Sequence, residues 1–93
     1  MNAKAWKSKV AGIGCVLCRH LDLGETPATL HHVREGQGMS QRASDWLVVS
    51  LCKEHHQGQS GWHGLGKQGF YMKYRLDELD LLSMVIERMA GSL

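Results

Sequence analysis

Apolar residues fall along this chain in short groups separated by polar and glycine-rich stretches, and their spacing changes from group to group. Trp6, Val10 and Ile13 recur at near-helical intervals, which predicts a short helix over residues 3–11, stopped by Gly12 and Gly14. Cys15-Val16-Leu17-Cys18 reads as a tight turn, and residues 22–27 as a polar loop. Ala28-Thr29-Leu30-His31-His32-Val33 has a β-branched or apolar residue at most of its non-histidine positions and suits a short strand. A polar connection over 34–45, with Gly36, Gly38, Ser40 and Ser44, leads to a second strand candidate, Trp46-Leu47-Val48-Val49, just ahead of Cys52. From Lys53 a short helix carries His55 and His56, and Gly58, Gly61, Gly64 and Gly66 then punctuate a loop.

The last helix, over about 77–90, has the clearest period. Asp77 is suited to its N-cap, and Leu79, Leu82, Val85, Ile86 and Met89 form one apolar stripe that covers the core or a partner helix. Arg88 sits near the end where a cation is favoured, and Gly91 can stop the helix. The pattern predicts a single α+β domain over 1–93, with a two-stranded hairpin, flanking helices and no internal repeat.

Composition changes this picture in one respect. A chain of 93 residues with 11 glycines builds a modest core, and such domains commonly need a disulfide or metal staple. Its 3 cysteines cannot all pair, whereas three thiolates and one imidazole complete a tetrahedral zinc site. Cys15 and Cys18 form CxxC, while Cys52 and His55 form CxxH. Two short-spaced pairs from separate segments are the usual anatomy of a closed structural Zn²⁺ site. The competing reading is three buried free thiols. Metal suits a reducing cytoplasm.

The formal charge of +2 identifies no partner. Lysines at 4, 7 and 9, and Lys67, Lys73 and Arg75, are small basic clusters that can touch phosphates or simply be solvated. No apolar run reaches the roughly 18 residues of a membrane span, and no secretory leader is evident, so the expectation is a soluble, cytoplasmic protein.

Five of the 6 histidines remain after His55 is assigned, and His20 reads as an ordinary surface residue. Adjacent residues on a helix point about 100° apart, so His56 faces away from His55 toward a second site. On an unbroken helix His56 and His63 would lie about 10 Å apart along the axis, too far to share an ion. They can converge only if the helix breaks near Gly58 and Gly61. His31 and His32 diverge on a strand; if one imidazole held a metal, the other would be free as a general base beside a phosphate.

The residues Cys-x2-Cys, Leu30-His31-His32-Val33 and Leu47-Val48-Val49-Ser50-Leu51-Cys52-Lys53-Glu54-His55-His56 resemble the HNH endonucleases of the ββα-metal class. With the stretch from Gly36 to Asp45 and His63-Gly64, the likeness is greatest to phage Ref-type recombination-enhancement nucleases, which are associated with RecA. It covers about 14–70. The resemblance implies a zinc-stapled ββα-metal fold and metal-dependent hydrolysis of DNA phosphodiesters. It makes His31, His56 and His63 ligands of a catalytic divalent ion and His32 the general base, with the structural zinc on Cys15, Cys18, Cys52 and His55. A three-histidine site favours Zn²⁺, Mn²⁺, Ni²⁺ or Co²⁺, with Mg²⁺ able to support turnover.

This chain departs from the family in having no asparagine in the second-strand region, where Asp45 is the nearest polar substitute. Its His56–His63 spacing is also longer than usual in the class. Arg34, Arg42, Lys67 and Lys73 are candidate phosphate contacts, and the implied partners are DNA and a RecA-type recombinase filament in a bacterial cytoplasm. The alternative, from another class, is a zinc-stabilised module that binds nucleic acid or a recombinase without catalysis.

Overall fold

A computed structural model describes residues 1–35 and 42–91. Gly36, Gly38 and Ser40 of the connecting segment lie outside the described residues, as do the other positions from 36 to 41. The elements run α1 (Ala3–Gly12), α2 (Val16–His20), β1 (Thr29–His32), β2 (Val48–Leu51), α3 (Lys53–Gln57), α4 (Trp62–Tyr74) and α5 (Glu78–Ala90). The protein is a small α+β unit built on one antiparallel hairpin. No helix among the described residues is long and apolar enough to cross a membrane.

The hairpin pairs Thr29 with Leu51, Leu30 with Ser50, His31 with Val49 and His32 with Val48. Every residue of β2 is buried, whereas in β1 only His31 is, with Leu30 and His32 partly covered and Thr29 exposed. A strand covered on both faces reads as a continuous apolar run, and Val48-Val49-Ser50-Leu51 is nearly one. The second strand begins two residues later than the sequence pattern suggests. Trp46 is instead held in the preceding turn, where its carbonyl accepts a bond from the Trp6 indole N–H at 3.0 Å and the two rings lie 6.0 Å apart. Val10, Leu17, Val49, Phe70, Leu81 and Val85 bring α1, α2, β2, α4 and α5 into one core.

α5 starts as predicted. The Asp77 side chain accepts from the Asp80 N–H, and the Asp80 side chain accepts from the Asp77 N–H, each at 2.9 Å, closing a capping box. Its buried face differs from the expected stripe. Leu81, Leu82 and Val85 face inward with Glu78, while Leu79 and Ile86 are about half exposed, at 53% and 50%. Leucines at 79, 81 and 82 admit two overlapping helical stripes, and the packing of α5 on β2 and α2 selects the second.

The glycine-rich segment after α3 also corrects the sequence reading, which treats it as loop through Gly66. It becomes helical at Trp62, with a break at Gly66, whose φ of 74° lies in the region natural to glycine. Burial of Trp62 and Phe70 holds α4 in place despite its poor intrinsic propensity.

Candidate metal centres

Cys15 and Cys52 occupy equivalent positions. Each is the N-cap of a short helix, and each sulfur accepts from the backbone N–H three residues on, Cys18 at 3.4 Å and His55 at 3.5 Å. The segment Cys15 to Cys18 is thus a helix start rather than the simple turn expected. N-cap and N3 side chains lie on the same side of a helix end, so the x2 spacing aims both members of each pair at one point.

The two helix starts converge on a buried cluster of Cys15, Cys18, Cys52 and His55. Sγ of Cys18 is 3.8 Å from Sγ of Cys52, and His55 Nδ1 is 3.6, 3.4 and 3.3 Å from the sulfurs of Cys15, Cys18 and Cys52. Zinc bond lengths of about 2.3 Å to sulfur and about 2.0 Å to nitrogen give tetrahedral edges of about 3.8 and about 3.5 Å. The donor set therefore fits a metal ion such as Zn²⁺ in both chemistry and size. Burial pushes the Cys15 thiol up to about 12, the response of a group that carries charge in this place only beside a cation. Tyr74 covers the cluster, its ring 6.0 Å from His55 and its hydroxyl donating to the Ser60 carbonyl at 2.6 Å.

A second convergence involves His31, His56 and His63, with one nitrogen from each within 4.8 Å of the others. Their ring centroids are 5.2 Å apart for His31–His56, 5.4 Å for His31–His63 and 4.9 Å for His56–His63. β1, α3 and the first turn of α4 each contribute one imidazole. The meeting of His56 with His63 depends on the chain breaking after α3 at Gly58 and restarting at Trp62.

Close backbone approach permits that reversal. A Cβ at Gly61 would collide with the backbone of Glu54 and His55, and one at Gly64 with the Gly58 carbonyl. Gly64→Ala is accordingly expected to lower stability by about 1–3 kcal/mol, the usual cost of overpacking, read as an earlier denaturation midpoint.

Two residues the sequence reading did not single out hold this trio. Glu78, at the first position of α5, lies 2.6 Å from His31 Nε2, and both groups are buried. Its carboxylate also accepts from the Arg34 backbone N–H at 3.2 and 3.3 Å. Thr29 Oγ1 donates to the Leu51 carbonyl at 3.1 Å and sits 2.9 Å from His56 Nδ1. An acidic first-turn residue is ordinary helix chemistry and a strand threonine is ordinary β chemistry, so neither was visible without tertiary structure.

Burial, followed by repulsion from His31 and His63, drives His56 down to about 4. His31 is lowered by burial, with Glu78 opposing. His56 is thus a neutral donor at pH 7. Because its folded value lies below that of an exposed imidazole, the unfolded chain binds more protons between about 6.5 and 4. The zinc-loaded protein should lose stability as pH falls through that window, and His56→Gln should flatten the slope in melting curves taken from pH 7 to 5.

His32 leaves β1 on the opposite side from His31 and stays partly exposed. Its Nε2 lies 2.9 Å from Asp45 Oδ1, and Lys7 Nζ approaches the same oxygen at 3.5 Å. The bond with His32, then Lys7, holds the Asp45 carboxyl below its usual range. Of the candidate phosphate contacts, Arg34 and Arg42 are exposed, Lys67 pairs with Glu35 at 2.9 Å, and Lys73 lies over the Tyr74 ring.

Comparison with protein-family models, with curated proteins and with solved structures finds no match for this chain.

Proposed function

We propose that this chain is a small HNH-type endonuclease of the ββα-metal class that hydrolyses DNA phosphodiester bonds. The observation that carries the reading is the arrangement of five side chains on a hairpin, the turn before its second strand and the two helices that follow. An imidazole trio suited to one divalent ion lies on one side of β1, and a carboxylate-held imidazole projects from the next residue. The cysteine-rich centre ties α2 to α3 and so supports the helix that carries His56.

His31, His56 and His63 would hold a divalent ion, which when bound would supply positive charge for the phosphate and the departing oxygen. His63 is exposed, which leaves that side open to substrate. His32 does the proton work. Its Nε2–H donates to Asp45, so Nδ1 carries the free lone pair and can take a proton from water. The resulting hydroxide attacks phosphorus, the P–O3′ bond breaks, and the 3′ oxygen takes up a proton from solvent. Asp45 stabilises the imidazolium formed and fixes its orientation. Arg34 and Arg42, both exposed, are the proposed contacts with backbone phosphates. The cellular setting that accompanies this reading is a bacterial cytoplasm, with a RecA-type filament as partner and a phage or prophage as source.

The test is nicking of supercoiled plasmid by purified protein supplied in turn with Mg²⁺, Mn²⁺, Ni²⁺ and Zn²⁺, with bare and RecA-coated substrate. Conversion to open-circular product, abolished by chelation, is the expected result. Binding of DNA or filament with no cleavage under any of these conditions would replace the nuclease with the binding module.

A further inference from the structure

Glu78 is the most deeply buried acid among the described residues, and it is not one of the converging ligands. It sits just behind them, bonded to His31 Nε2 at 2.6 Å and fixed by the Arg34 N–H. A carboxylate can only accept, so the bond requires a proton on Nε2 and leaves the lone pair of His31 on Nδ1. The other side of the trio obeys the same logic. The single Thr29 hydroxyl proton is committed to the Leu51 carbonyl, so its oxygen accepts from His56, which requires a proton on His56 Nδ1 and leaves the lone pair on Nε2.

We propose that Glu78 and Thr29 are positioning residues that set opposite tautomers on His31 and His56, so that His31 offers Nδ1 and His56 offers Nε2 to one divalent ion. This rests on the reading of His31, His56 and His63 as an ion-binding set. Outer-sphere acceptors of this kind orient the ring and raise its basicity, and their loss typically costs 10- to 100-fold in metal affinity. Glu78 belongs to α5, so the C-terminal helix becomes part of the centre even though it supplies no ligand.

The experiment uses the 93-residue chain loaded with one equivalent of Zn²⁺. Long-range ¹⁵N–¹H correlations of the imidazoles report each tautomer, and calorimetric titration with further Zn²⁺ reports the second ion. Wild-type protein should show Nε2–H on His31 and Nδ1–H on His56 and should bind a second equivalent. Glu78→Gln, whose amide can donate to Nε2 as well as accept from it, and Thr29→Val, which has no hydroxyl, should each weaken that equivalent 10- to 100-fold and should release the tautomer of His31 or His56 respectively, with far-UV circular dichroism unchanged. Should Glu78→Gln fail to fold, Thr29→Val and the wild-type tautomers still decide the matter. The opposite tautomers, uptake of only one equivalent, or variants that bind the second ion as tightly as wild type would each overturn the proposal. No DNA enters the measurement. Two bound ions with the stated tautomers but no nicking would sink the nuclease reading and keep this one.

Discussion

Loading the cysteine centre with Zn²⁺ and then stripping it with a strong chelator is expected to unfold this chain, and Cys18→Ser is expected to yield insoluble or unfolded protein. Structural zinc contributes roughly 10–16 kcal/mol in small metal-stapled domains, while the whole stability of an ordinary domain is about 5–15 kcal/mol. Little is left here to compensate. The described residues contain one two-stranded hairpin, a pairing that is marginal alone, and the core around it is assembled from short helices. Two of those helices, α2 and α3, have only five residues each and start on the ligands themselves. Helices that short do not persist without tertiary support. Loss of the ion would leave three buried sulfurs and an imidazole without the partner that offsets their desolvation. Far-UV circular dichroism during chelation, with released zinc measured by a colorimetric dye, gives the answer. Equal loss of zinc and helix signal is expected; full zinc release with an unchanged spectrum would show that the apolar core suffices.

How far the sequence foretold this arrangement depends on the range over which each feature is encoded. The cysteine centre was legible because both ligand pairs are local: an N-cap and N3 spacing aims two side chains at one point whatever the rest of the fold does. The imidazole trio was legible only conditionally. His56 and His63 can meet if the chain reverses between them, and the glycines at 58, 61 and 64 signalled a reversal without giving its course. Those glycines also concealed α4, because a segment with poor helix propensity looks like loop until Trp62 and Phe70 find their core. Glu78 and Thr29 were illegible, since each is unremarkable in its own element and acts only across the fold. The offset of β2 has a similar origin. The Trp6 indole takes the Trp46 carbonyl, a choice made by α1, forty residues away.

On the proposed nuclease mechanism, His32→Ala should slow cleavage 10²- to 10⁴-fold while leaving fold, zinc content and uptake of a second ion unchanged, the range expected for loss of a positioned general base. The selectivity of that outcome follows from the strand. His31 and His32 are consecutive, yet the pleat sends one inward against Glu78 and the other outward to Asp45. Removing the outward ring should not disturb the inward one. Asp45→Asn should be milder, because an amide oxygen still accepts from Nε2–H and only the stabilisation of the imidazolium is lost; Asp45→Ala should cost more, since the ring then loses its orientation. Single-turnover nicking of plasmid by these three variants and by His56→Ala, each supplied with the same two equivalents of metal, separates base from ligand. If His32→Ala cleaved as fast as wild type while His56→Ala did not, proton abstraction would have to be reassigned to another group, with the metal trio left intact as the reacting centre.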